Sequence, residues 1–89
     1  MSRQHHELKT ETKHYQAVER GEKNFEVRKN DRDFKKFDMV TLKETVSGVY
    51  TGRKLEAMEI KYILYGGQFG IKKRYCVFGF KKPVVYSMV

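Results

Sequence analysis

Turn-forming residues cut this chain into short pieces. Gly21, the run Asn30-Asp31-Arg32-Asp33, the segment from Ser47 to Gly52, the loop Gly66-Gly67-Gln68-Phe69-Gly70 and Pro83 punctuate it. Asn and Asp bond their own backbone, glycine reaches positive φ, and proline removes a donor, so regular structure rarely runs through such points. The intervals between them have strand length, and one carries helical spacing. The chain is thereby restricted to a small, mostly β fold with one or two short helices (α+β).

Residues 3 to 8 read as a first strand ending at Leu8. Thr10 or Thr12 then offers a helix N-cap, its hydroxyl accepting from an orphan backbone N–H. Glu11 suits the positive end of the helix dipole, and Tyr15, Ala17 and Val18 form a narrow apolar stripe. Gly21 is placed to stop the helix in the left-handed conformation. The predicted helix covers about residues 11 to 20, too short to persist in water without packing. Further strands are expected over 23–28, 39–45, 53–64 and 75–80, with a hairpin loop over 47–52. A change of phase between Ala57 and Ile60 predicts a bulge near Met58 and Glu59. After Pro83, Val84 to Val89 reads as an edge strand or a tail. Together these elements predict a β-barrel with the helix closing one side.

Eighty-nine residues hold one domain, residues 1–89. The hydrophobic share is 39%, and six Phe and six Tyr offset it, because each ring buries roughly 150–250 Å². The net charge of +8 favours a polyanionic partner: RNA, DNA, a nucleotide or an acidic surface. Cys76 is the only cysteine, so no internal disulfide forms, which fits a reducing cytoplasm. Its apolar neighbours Tyr75, Val77 and Phe78 make it a core thiol rather than a nucleophile. No apolar run approaches the ~18 residues of a membrane span, and the early charges with His5-His6 do not resemble a secretory leader. His5, His6 and His14 lack companions at metal-ligand spacing. No cofactor, no metal and no membrane partner is expected, and the protein is expected to be a monomer.

The segment Gly21-Glu22-Lys23-Asn24-Phe25-Glu26-Val27-Arg28-Lys29-Asn30-Asp31-Arg32-Asp33-Phe34 is the richest in chemistry. It opens as an alternating strand with Phe25 and Val27 on one side and Asn24, Glu26 and Arg28 on the other. Glu26 and Arg28, two apart, share a face. Arg presents a planar fork of donors and Glu accepts from a base amino group, so the pair suits a base or a phosphate. The plain alternative is a surface salt bridge worth ~0–1 kcal/mol. Lys23 is either a phosphate contact or an amine acting as a base. Lys29, Arg32, Lys35 and Lys36, with Lys72-Lys73-Arg74, can line a phosphate backbone or form a solvated face. Asn30 falls within the same mixed-charge turn. Tyr65 and Phe69 flank the glycine loop, where a ring either stacks on an unpaired base or anchors the loop to the core. Gln68 carries both a donor and an acceptor for a base edge. The loop lacks the Gly-Lys-Ser/Thr ending of a Walker phosphate cradle.

Three segments carry a family resemblance: His6-Glu7-Leu8-Lys9, Gly21 to Phe34 with its Gly-x-Lys-x-x-Glu-x-Arg order, and Tyr62-Ile63-Leu64-Tyr65-Gly66-Gly67-Gln68-Phe69-Gly70. They resemble a phage and bacterial branch of the ASCH domains, within the PUA-like superfamily, over most of residues 5 to 80. The resemblance implies a small PUA-like β-barrel with RNA as partner, and single-stranded DNA or a nucleotide as further ligands. It implies a cleft holding Lys23, Glu26 and Arg28. The candidate interface is Lys23, Glu26, Arg28, Lys29, Asn30, Arg32, Gln68, Phe69, Lys72 and Lys73. One departure is Phe37-Asp38, where the branch carries Gly-Asp; Phe resists the positive φ such a turn uses. Some ASCH-like proteins resemble small amidohydrolases acting on acylated cytidine, which work with a Lys, a Thr and a Glu. Here Lys23 matches, Glu26 stands at the threonine position, and Glu56 and Glu59 are the candidates for the later carboxylate. Catalysis through Lys23 and Glu26 is therefore the alternative to binding, and a phage-encoded protein-interaction module is the third reading.

Overall fold

The computed structural model describes residues 3–81. Its elements run β1 (His5–Glu11), α1 (Thr12–Glu19), β2 (Phe25–Lys29), β3 (Met39–Val46), β4 (Val49–Tyr65) and β5 (Tyr75–Lys81). They form one sheet in the order β1-β3-β4-β5-β2. β1 pairs with β3 in parallel, and the other neighbours pair antiparallel. The chain is mostly β with one short helix, as expected, but the sheet is open and not a closed barrel. No backbone ladder joins β1 to β2 among the described residues. Side chains lie there instead: Arg28 Nη2 donates to the Lys9 carbonyl at 2.9 Å and Arg32 Nη1 to the Glu7 carbonyl at 2.6 Å. The two edge strands thus meet along a seam of guanidinium groups.

Local chemistry explains where the elements depart from the sequence reading. β1 runs to Glu11, because its parallel register with β3 continues as far as Glu11 with Thr45. Thr10 therefore lies in the strand, and Thr12 opens the helix with its hydroxyl donated to Glu44 at 2.6 Å. Neither is the N-cap; Glu11 occupies that place and makes no side-chain cap bond. The C-terminus ends as expected at Gly21, with φ 81°. Gly21 N donates to the Val18 carbonyl at 3.0 Å and Glu22 N to Ala17 at 2.8 Å, the paired closure of a Schellman motif. The β3–β4 hairpin loop shortens to Ser47-Gly48, both at positive φ (49° and 81°), as a two-residue turn matched to strand twist requires. Val49 to Gly52 accordingly join β4. The bulge lies one residue earlier than the sequence phase indicated: Val40 faces Met58 while Leu42 faces Leu55, with Ala57 at φ 60°. Phe37 does adopt positive φ, 77°, and its N–H donates to Ile60 at 2.8 Å. Position 37 thus uses the glycine-like backbone that the Phe37-Asp38 departure put in question. The suggested strand or tail after Pro83 lies outside the described residues.

Leu8, Tyr15, Val18, Phe34, Val40, Leu42, Met58, Ile60, Cys76, Phe78 and Phe80 form the core. The rings of Phe34 and Phe78 lie 5.0 Å apart, and His6 sits 4.6 Å from Phe34. Cys76 is buried as expected, and burial pushes its thiol above its ordinary value. An amphipathic strand usually turns its apolar side inward. β2 does the reverse: Glu26 is 3% exposed, while Phe25 and Val27 are 43% and 56% exposed.

At the far end of β1 a second polar group is buried. His6 Nε2 lies 2.9 Å from Asp38 Oδ2, and Asp38 also accepts from the backbone N–H of Gln4 (3.1 Å) and Lys35 (3.0 Å). Burial raises the Asp38 carboxyl, but the bonds from His6, Gln4 and Lys35 outweigh it and hold it below its ordinary value. A depressed carboxyl contributes stability above its unfolded value, and that contribution disappears as pH falls through the folded one. Asp38→Asn is expected to cost about 2 kcal/mol at neutral pH, the scale of a disrupted buried hydrogen-bond set. The gap from wild type should narrow below about pH 4, where the unfolded carboxyl titrates. Urea unfolding of both proteins across pH 2–7 measures it.

Candidate functional site

The inverted face of β2 builds the site. Glu26 shares its cavity with Thr10 of β1 and His14 of α1 and is met from two sides. Lys23 Nζ donates to Oε2 at 2.6 Å. Arg28 donates to Oε1 through Nη2 at 2.7 Å and Nε at 3.1 Å. Arg28 Nη2 also reaches Thr10 Oγ1 at 3.0 Å. A carboxylate this buried requires such partners, since an unpaired buried charge costs several kcal/mol. The arrangement goes well beyond an exposed i,i+2 ion pair.

These groups open onto a cavity of about 520 Å³ lined by Thr10, His14, Lys23, Phe25, Glu26, Val27 and Arg28. That volume lies within the roughly 300–1,000 Å³ of small-ligand sites. The Lys23 ammonium stands 5.6 Å from the centre of the Phe25 ring. The wall therefore combines flat rings, a carboxylate acceptor and cationic donors. Thr10 and His14 belong to it although neither stood out in the sequence as a site residue. Thr10 carried a signal in retrospect: it shares the inward face of β1 with His6 and Leu8.

The other candidates divide into groups. Arg28, Lys29 and Arg32 line a smaller cavity of about 160 Å³ further along the seam, with Leu8, Asp31 and Phe34. Phe69 and Lys72 lie on the outer face, around a cavity of about 300 Å³ that includes Val27 and Tyr75. Phe69 is 83% exposed, so it is no core anchor. Asn30 accepts from Phe34 N at 2.9 Å and closes its own turn. Gln68 Nε2 donates to the Tyr65 carbonyl at 2.9 Å and serves the glycine loop. Lys73 lines none of these three cavities. Lys23, Glu26 and Arg28 thus converge, Lys29 and Arg32 adjoin them through Arg28, and Gln68 does not join them. Glu56 pairs with Lys54 at 2.6 Å, and Glu59 pairs with Arg3 at 3.0 Å and with Lys61; neither lines the Glu26 cavity.

A further buried carboxylate, Glu44, accepts from the hydroxyls of Thr12 at 2.6 Å and Thr51 at 2.8 Å. These two bonds hold it below its ordinary value. It ties α1 to the β3–β4 hairpin and so fixes the helix that carries His14. Among the described residues no group of three or more His, Cys, Asp or Glu side chains is placed to hold a metal ion, and no helix is long and apolar enough to cross a membrane.

The model of a family described as a domain of unknown function, DUF3850, matches residues 5–80. The chain belongs to that family. The match runs from the first residue of β1 to the penultimate residue of β5, so the whole Glu26 cavity lies within the DUF3850 region. This DUF3850 chain is also similar to an "uncharacterized 12.9 kDa protein in GpA 3′ region" of Escherichia phage P2, with 46% identity over 52 residues. The aligned stretch is 58% of this chain and 48% of the phage protein, so the chain spans about half the length of that relative.

Proposed function

We propose that this DUF3850 protein is an RNA-binding module that takes an unpaired base into the Glu26 cavity, in the manner of the ASCH domains that its motifs resemble. The observation that carries the reading is the buried Glu26 carboxylate, held by Lys23 and Arg28 in the wall of a nucleoside-sized cavity. A fixed carboxylate accepts from the exocyclic amino group of a base, and the neighbouring cations donate to its carbonyls. Phe25 and His14 supply rings on which a base stacks, as single-strand recognition commonly uses. The net charge of +8 provides long-range attraction to the phosphate backbone.

Hydrolysis of a modified nucleoside is the weaker reading. Lys23 donates to Glu26 at 2.6 Å, which suits a fixed recognition pair better than a free amine acting as base. Anisotropy titration of labelled single-stranded RNA is expected to give binding at 50 mM salt that weakens steeply with added salt. If Arg28, Lys29 and Arg32 each meet a phosphate, the log–log slope is about −2 for a single strand. Absence of binding to every RNA and single-stranded DNA homopolymer at that salt overturns the proposal. Release of the acyl group from an acylated cytidine, lost in Lys23→Ala, replaces it with the enzymatic reading.

A further inference from the structure

We infer that the smaller seam cavity is a phosphate subsite adjoining the base cavity, so that the preferred ligand is a nucleotide rather than a nucleoside. The inference rests on the nucleic-acid reading above and specifies which part of the ligand goes where.

Size separates the two cavities. At about 160 Å³ the smaller one falls below the roughly 300 Å³ at which small-molecule sites begin. That size suits a phosphate group. The two cavities share Arg28 as a common wall. A ligand with a base against Glu26 and a covalently attached phosphate beyond Arg28 follows the seam from one to the other.

The lining matches an anion. Arg28, Lys29 and Arg32 set three cations against the single carboxylate of Asp31, with Leu8 and Phe34 at the apolar side. Both guanidinium groups are anchored: Arg28 Nη2 to the Lys9 carbonyl at 2.9 Å and Arg32 Nη1 to the Glu7 carbonyl at 2.6 Å. A guanidinium carries five N–H donors. Arg28 uses Nε and Nη2, and Arg32 uses Nη1, in the hydrogen bonds among described residues. The remaining donors, Nη1 of Arg28 and the Nε–Nη2 edge of Arg32, are held on a fixed frame, which reduces the ordering cost of a phosphate contact. Asp31 opposes the anion and so makes binding depend on those forks rather than on net field alone.

The test compares cytidine, uridine, adenosine and guanosine with their 5′-monophosphates and with dinucleoside monophosphates, by calorimetry on the whole protein. For the base that binds, the phosphate-bearing form is expected to bind roughly tenfold tighter, the scale of one charge-assisted hydrogen bond. Arg32→Lys, which keeps the charge and removes the fork, should erase most of that gain of nucleotide over nucleoside. Asp31→Asn should enlarge it. A terminal and an internal phosphate are distinguished by whether the monophosphate or the dinucleoside form binds better; either preference supports the subsite. Inorganic phosphate supplies an independent probe: it should shift the Arg32 Nε–H resonance and the backbone amide resonances around position 32 in the wild type, and those backbone shifts should be lost in Arg32→Lys. Nucleosides that bind as tightly as their phosphates overturn the subsite and leave the base cavity standing. Failure of nucleosides, nucleotides and RNA alike removes the nucleic-acid reading itself.

Discussion

Gly66→Ala is expected to lower stability by about 4 kcal/mol, at the upper end of what a single substitution does. A Cβ at this position would stand 2.1 Å from the Lys72 carbonyl oxygen and 2.6 Å from that of Tyr75. Both obstacles are backbone, so no rotamer change relieves them. The nearer one is not free to withdraw: Lys72 O accepts from Tyr75 N at 3.0 Å, and the facing loop is closed by Gly67 N to Ile71 O at 2.8 Å. Two turns cross at Gly66, and only a residue without a side chain fits between them. Gly70→Ala is the control. It has a strained φ of +76° but nothing within 4 Å, so it should cost about 1–2 kcal/mol, the left-handed penalty alone. Urea unfolding of the two variants separates close approach from backbone conformation. Equal losses at both positions would show that crowding at Gly66 is absent.

The second large effect concerns Glu26. Glu26→Gln is expected to cost about 3 kcal/mol, the lower end for breaking a buried ion pair. The lower end applies because Lys23 and Arg28 keep 17% and 25% of their side chains in water. Without the carboxylate, the two cations face the same cavity with no counter-charge. Binding should then change in kind. The net charge rises from +8 to one unit more, so unselective affinity for polyanions should increase at low salt. Discrimination among bases should fall, because the fixed acceptor of amino groups is gone. Titrating the four RNA homopolymers against wild type and Glu26→Gln reads both effects. A variant that keeps its base preference would show that Glu26 only holds the strand in place.

Much of the architecture follows from local signals. The turn residues marked nearly every boundary, and the Gly21 stop, the glycine loop and the buried Cys76 stand where their chemistry put them. What local signals could not reveal was set by pairing partners. β1 continues through Thr10 to Glu11 because β3 offers a parallel ladder for it, and tertiary pairing overrides a weak capping preference. Barrel closure was equally out of reach. It depends on whether the edges of β1 and β2 meet, and the arginines between them occupy that gap.

The site was legible in its centre and not at its margins. Glu26 and Arg28 share a face of one strand, so alternation groups them, while Lys23, of the opposite parity, joins them only through the family resemblance. Thr10 and His14 come from β1 and α1 and reach the cavity only through the fold. Asn30 and Gln68 have side chains suited to a base edge, but nearby backbone groups take them first, the usual competition for short polar side chains in turns. Phe69 and Lys72 fall on the opposite face of β2, where Val27 alone connects them to the Glu26 cavity.

The seam gives the molecule one mechanically soft line. Elsewhere, neighbouring strands are tied by repeating backbone bonds, and changing their spacing would break a ladder. Between β1 and β2 the spacing is set by two long side chains with several rotatable bonds each. Once those side chains release their carbonyl bonds, the gap can widen or narrow by a rotamer change while all four ladders stay intact. On the proposed nucleic-acid reading, a cleft with such a jaw takes purines and pyrimidines alike without repacking the core.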